Sequence, residues 1–240
     1  MTKIHLLAVG AHPDDVELGC GGTLLKHASM GYSIGIVDLT QGELGTNGSI
    51  ELRQKEAGHA AAVLGLAVRE NLKLQDGFFQ HTNEEKLKLV RALRKYQPDV
   101  VLGNAYYDRH PDHGRACQLI FEACFLSGLP KVETEADGKK QAPWRPKALY
   151  HYIQSLRLKP DFIVDISDFW EQRMKAIHCY SSQFLNSSAG GADTYISNPS
   201  FLQMTEGRAA DFGHSIGVRY GEGFTVRRVL GIDNLMNIVS

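Results

Sequence analysis

Short apolar runs followed by polar or glycine-rich stretches punctuate the first half of the chain. Their alternation and β-branched content predict strands over Lys3–Gly10, Tyr32–Leu39, Val68–Leu72 and Asp99–Leu102. The intervening segments carry helical spacing. Thr23–Met30 reads as the later part of a helix closed by Gly31. Ser49 caps a helix starting near Ile50, with Leu52, Ala57, Ala60, Ala61 and Leu64 available for its inward face. Asn83–Tyr96 places Leu87, Val90 and Leu93 on one side, and Pro111 introduces a helix from Asp112 to Phe125 or beyond. Strands alternating with helices predict an α/β fold: a Rossmann-like, mostly parallel sheet flanked by helices, with right-handed crossovers.

The second half is less regular. Lys131–Gln141 is charged and aperiodic, so it reads as an exposed excursion. Strands are predicted at Ala148–Ile153, Phe162–Ile166 and Gly223–Val229, and helices at Ser167–Tyr180 and Phe201–Phe212. Asn186–Asp193, rich in Ser, Gly and Ala, reads as a lid. The expected organisation is one domain over residues 1–240: a Rossmann-like core at 1–130 and a C-terminal α/β elaboration at 131–240.

With 240 residues and 43% hydrophobic content, the chain can bury a full core without disulfides. A formal net charge of -1 with scattered Lys and Arg argues against a nucleic-acid partner and for a small molecule. Cys20, Cys117, Cys124 and Cys179 form no CxxC pair and read as reduced thiols. The N-terminus enters a strand at once and no run approaches membrane-spanning length, so a cytoplasmic protein without membrane contact is expected. The cluster Gly19-Cys20-Gly21-Gly22 fits neither GxGxxG nor GxxxxGK[ST], which favours close helix-to-sheet packing over phosphate cradling.

Two stretches carry the candidate chemistry: Val9-Gly10-Ala11-His12-Pro13-Asp14-Asp15-Val16-Glu17 and Arg109-His110-Pro111-Asp112-His113. Each follows a predicted buried strand, and ligands of open α/β sheets bind at the carboxyl ends of strands, so the two can meet there as a metal site. His and carboxylate donors suit zinc. His12 and His113 stand beside acids and a proline, unlike His5, His27, His59, His81, His151, His178 and His214, which read as ordinary surface or core residues. Asp14 and Asp15 point in different directions, so one can bind metal while the other takes a proton from water; either also suits a helix N-terminus. Arg53 lies near the crevice and could grip a carboxylate, although a lone helix Arg more often faces solvent.

The paired motifs resemble the zinc-dependent deacetylases of the LmbE-like (PIG-L) superfamily. The similarity continues through Asp38-Leu39-Thr40, Glu51-Leu52-Arg53, Tyr180-Ser181-Ser182-Gln183-Phe184 and Tyr220-Gly221-Glu222-Gly223-Phe224, and is strongest to the branch that deacetylates N-acetylglucosaminyl malate in bacillithiol biosynthesis. The resemblance implies His12, Asp15 and His113 as ligands of one zinc per chain, with Fe2+ the alternative, and Asp14 as general base. It implies His110 as the oxyanion donor, with Asp112 orienting it. Arg53, Arg109, Asn104 and Arg145 become candidate substrate contacts, Arg109 also for positioning Asp14. A family tyrosine from the C-terminal segment corresponds in position to Phe201 here, while Tyr195 stands nearby; neither is assigned. The resemblance also implies a homo-oligomer, often a hexamer. Competing readings are a deacetylase of another N-acetylglucosamine derivative, a metal-dependent phosphoesterase, and a binding protein that has lost turnover. The retained Asp14 and His110 argue against the last.

Overall fold

A computed structural model describes residues 3–184, 192–234 and 236. Its elements are β1 (Leu6–Gly10), α1 (Asp15–Ser29), β2 (Ile34–Thr40), α2 (Ile50–Leu64), β3 (Val68–Leu74), α3 (Asn83–Tyr96), β4 (Val100–Asn104) and α4 (Pro111–Ser127). A small hairpin, β5 (Glu135–Ala136) and β6 (Lys139–Lys140), forms part of the charged excursion. There follow β7 (Ala148–Tyr152), β8 (Phe162–Asp165), α5 (Trp170–His178), α6 (Ser181–Phe184), α7 (Pro199–Ser215) and β9 (Gly221–Val226). The predicted lid at 186–193 lies almost wholly outside the described residues.

Seven strands form one sheet in the order β3-β2-β1-β4-β7-β9-β8. All pairings from β3 to β7 are parallel, and β9 runs antiparallel to both of its neighbours. The fold is therefore a mostly parallel α/β sheet, and the C-terminal segment extends the same sheet. Helices cover both faces, which explains the continuous apolar runs. On β1, Leu7 and Val9 pack with Leu89, Leu93 and Ile120 of α3 and α4. Leu6 and Ala8 pack on the other face with Val16, Leu24 and Leu64 of α1 and α2. The strand order reverses between β1 and β4, which are adjacent with Leu6 opposite Val100. The two motif loops thus emerge side by side at the switch point.

The glycine cluster lies within α1, which starts at Asp15 and passes through a non-helical Cys20 (φ -150°). A Cβ on Gly19 would lie 2.2 Å from the Tyr152 ring, and one on Gly22 would lie 2.9 Å from Ile166. These glycines bring the helix against the sheet, as the sequence predicted. The inward face of α2 is a different matter. Leu52 is exposed, whereas Arg53 and Glu56 are buried. The helix turns these charges inward because their partners lie there: Glu56 accepts hydrogen bonds from Ser182 N and Oγ, both at 2.7 Å, and Arg53 reaches the loop after β1.

Candidate metal centre

The loop after β1 places His12, the first residue of α1 is Asp15, and the start of α4 places His110 and His113. Asp15 stands between the two expected imidazole ligands, with Oδ1 3.1 Å from His113 Nε2 and Oδ2 3.6 Å from His12 Nδ1. The outer nitrogen of each imidazole meets further carboxylates. Asp108 Oδ2 lies 2.7 Å from His113 Nδ1, while Asp76 Oδ1 and Asp112 Oδ2 lie 3.0 and 3.2 Å from His12 Nε2. Such outer carboxylates fix the ring orientation of metal-binding histidines. Among the described residues, the metal-capable atoms within 4.8 Å of one another group as His12, His110 and His113, and as His12, Asp76 and Asp112. The donor set fits a borderline divalent ion: imidazole nitrogens with a shared carboxylate, and acids behind them.

The electrostatics follow from this packing. Burial opposes the charged form of His12, but the hydrogen bonds it donates to Asp112, Asp15 and Asp76 hold it well above its ordinary value. Burial likewise opposes the charge on His113, yet Asp15 and Asp108 hold it at about 9. The acids respond in kind: burial would raise Asp15, but His113 and His12 hold it well below the carboxylate range. A cation bound here would take over the charge now supplied by the imidazoles.

Asp14 differs from its neighbour. Its backbone adopts φ 126°, which is strained for a residue with a side chain, and its carboxylate caps no helix N–H. Arg53 holds the turn, donating from Nη1 to the Pro13 carbonyl at 2.7 Å and to Asp14 Oδ2 at 3.1 Å. Burial pushes the Asp14 carboxyl up to about 7, with Arg53 pulling the other way. His110 is pushed down to about 4, by burial and then by the neighbouring His12. Its Nδ1 accepts the backbone N–H of Asp112 at 3.2 Å, so in the neutral ring the proton sits on Nε2.

Several expected contacts land elsewhere. The Asp112 carboxylate does not orient His110; its oxygens go to His12, Gly77 N and Arg115, and only its backbone N–H touches His110. Asn104 lies behind the site, not on the cleft wall: it accepts Ala11 N at 3.1 Å and donates to Asp15 Oδ2 at 3.2 Å, binding the β1 loop to β4. Arg145 lies over the Phe125 ring and donates to its carbonyl. Phe125 is twelve residues along α4 from His113, about 18 Å at 1.5 Å per residue, so Arg145 sits at the far end of that helix. Arg109 lies 4.1 Å over the Tyr195 ring, and Arg53 holds Asp14 in its place. Both arginines, with Tyr195 and Phe201, line a cleft of about 340 Å³ that opens on His12, Asp14, Asp15, His110 and His113.

The sequence reading missed Asp76, Asp108 and Gln154, whose Nε2 donates to Asp15 Oδ1 at 2.8 Å. Their common signal is position. Asp76 follows β3, Asp108 follows β4 and Gln154 follows β7, so each lies at the carboxyl end of a strand. The outlying motif stretches mostly buttress the site. Tyr180 donates to Glu17, and Arg69 bridges Glu17 and Asp38. Gln183 donates to Asn47 O at 2.8 Å, bracing the loop after β2. Among the described residues no helix is long and apolar enough to cross a membrane.

Residues 7–125 match the family model described as PIG-L: GlcNAc-PI de-N-acetylase. The chain is 31% identical over 237 residues to the diacetylchitobiose deacetylase of Thermococcus kodakarensis, covering 95% of this chain and 84% of that protein. Among solved structures, a conserved protein of Thermus thermophilus superimposes with a TM-score of 0.85 at 38% identity, covering 96% of this chain and 98% of that one. The N,N'-diacetylchitobiose deacetylase of Pyrococcus horikoshii, in complex with an inhibitor, gives 0.80 at 32% identity over 92% of this chain and 83% of that one.

Proposed function

This chain belongs to the PIG-L (LmbE-like) family of de-N-acetylases, and from that premise we propose that it is a metal-dependent hydrolase removing the acetyl group from an N-acetylglucosamine conjugate. The observation that carries this reading is the placement of Asp15 between His12 Nδ1 and His113 Nε2, with the Asp14 carboxyl beside them at the same cleft. Zinc held by His12, Asp15 and His113, with iron the alternative, would polarise the amide carbonyl and make a water acidic near neutral pH.

The chain's own residues supply the proton transfers. Asp14, pushed up to about 7, is matched to taking a proton from the attacking water and returning it to the departing amine. Neutral His110, protonated on Nε2, donates a hydrogen bond to the oxygen that develops negative charge. Asn104 and Gln154 hold the Asp15 carboxylate in place. The products are acetate and a free glucosamine-type amine.

The proposed substrate is N-acetylglucosaminyl malate, the bacillithiol precursor, with Arg109 and Arg53 of the cleft facing the malate carboxylates. Diacetylchitobiose is the second reading, favoured by the match to the Thermococcus enzyme across 95% of this chain. The homo-oligomer implied by the family resemblance belongs to the same proposal, and light scattering of the purified protein tests it. The substrate test is acetate release from the malate conjugate, diacetylchitobiose and N-acetylglucosamine, by metal-stripped and zinc-restored protein. A malate preference that disappears in Arg109→Ala supports the first substrate, and faster turnover of diacetylchitobiose replaces it with the second. Absence of amide hydrolysis from all three, with metal bound, overturns the N-acetylglucosamine reading.

A further inference from the structure

At the end of the sheet opposite the motif loops, a cavity of about 310 Å³ lies between α1 and the strands. Its floor is Leu6, Val100, Leu102, Tyr150, Phe162 and Phe224, contributed by β1, β4, β7, β8 and β9. Leu6, Val100 and Phe162 are the first residues of their strands, whereas the metal centre follows the last residue of β1, about 13 Å further along that strand. Thr23 and His27 of α1 form one wall, and the half-exposed Tyr32 stands at the rim. The volume is that of a small-molecule site, and none of these residues lines the cleft.

The lining sets the chemistry of an occupant. Phe162 and Phe224 stack with centroids 5.1 Å apart at 9°, and Tyr150 meets Phe162 edge-on at 5.0 Å. At the rim the Tyr32 ring lies 6.0 Å from the His27 ring. Aromatic rings on the floor and the rim suit a planar guest, which gains offset and edge contacts that an alkyl chain does not. A charged guest finds no counter-charge: the one carboxylate of the lining, Asp99, is already held by Lys3 at 3.0 Å and Lys147 at 2.9 Å. A neutral guest enters without burying an unpaired ion. One hydrogen-bonding position is open to it. His27 Nδ1 donates to the Thr23 carbonyl at 2.7 Å, so in the neutral ring Nε2 keeps its lone pair, which has no partner among the described residues.

We propose that this cavity binds a neutral aromatic molecule of one or two rings that carries a hydroxyl or a ring N–H, as phenols and indoles do. The ring lies against Phe162 and Phe224, and the donor reaches His27 Nε2. The site is separate from the cleft and takes a molecule distinct from the deacetylase substrate.

The test uses the whole protein. Crystals soaked in 4-bromophenol are expected to show a bromine anomalous peak in the cavity, a readout that depends on no variant. Ligand-observed NMR titrations with phenol and with toluene then compare the wild type with two variants. Val164→Trp, on the edge strand β8, fills the cavity and abolishes binding of both. His27→Leu weakens phenol by about 2- to 10-fold, the worth of one hydrogen bond, and leaves toluene unchanged. Bromine found only elsewhere, a second copy of the chain filling the cavity, phenol binding undiminished in Val164→Trp, or equal effects on phenol and toluene in His27→Leu overturns the proposal.

Discussion

Asp76 joins the candidate metal centre to the rim of the cleft: its Oδ1 lies 3.0 Å from His12 Nε2 while its Oδ2 accepts the backbone N–H of Leu44 at 2.9 Å. One carboxylate therefore orients a proposed ligand and holds the loop between β2 and α2. Glu43 reinforces the link by accepting Asp76 N at 2.8 Å.

Asp76→Asn keeps the shape but weakens the polarisation of His12. The expected outcome is a loss of metal affinity of about 10- to 100-fold, the usual range for a carboxylate behind a metal-binding histidine. Competition with a chromogenic chelator measures it. Unchanged affinity would remove Asp76 from the metal centre.

Asp14→Asn removes the proposed base without touching His12, Asp15 or His113. A drop in kcat of about 10²- to 10⁴-fold with full metal content is expected. Metal analysis alongside the acetate assay separates this from loss of the ion, and full activity in the variant would transfer the proton to another group.

His110→Ala removes the proposed oxyanion donor. The loss should fall on kcat, by about 10²- to 10³-fold, with KM little changed. A change confined to KM would make His110 a substrate contact.

Arg69 donates to Asp38 from Nε and Nη2, at 2.8 and 2.9 Å, and to Glu17 from Nη1 at 2.7 Å. Arg69→Met leaves two buried carboxylates without their cation, so a destabilisation of about 3–5 kcal/mol is expected in urea unfolding. A loss within about 0.5 kcal/mol, typical of a surface substitution, would show that the carboxylates find other compensation.

His151 is 1% exposed, and burial, helped by Arg227, pushes its imidazole down to about 4. Between that value and the ordinary value of 6.5 the unfolded chain binds the extra proton, so this group's contribution to stability is present above pH 6.5 and is lost as pH falls toward 4. The full effect is about 3 kcal/mol. Urea unfolding of the wild type and His151→Gln at several pH values should show a shallower acid slope in the variant; parallel slopes would contradict the assignment.

Much of the fold was legible because its signals are local. The cap Ser49 marks the start of α2 by bonding to the backbone N–H of Leu52, three residues on. The buried strands show as apolar runs because helices cover both faces. The motifs after β1 and β4 were legible as a site for a similar reason, since adjacent parallel strands deliver their carboxyl-end loops to one place. Leu52 and Arg53 mark the limit: hydropathy turns Leu52 inward, whereas the partners of Arg53 and Glu56 lie on segments far away in the chain.

The sequence by itself determined the alternation of strands and helices, the motif pair at the strand ends and the residue types available for metal and proton chemistry. Tertiary structure alone decided which side chains meet. His12 finds Asp76 across 64 residues and Asp112 across 100, Asn104 turns inward to Asp15, and Arg145 ends at the far end of α4. Periodicity records which face of an element is buried. It holds no record of which side chain waits across the next loop, because that distance is set by how separate elements pack.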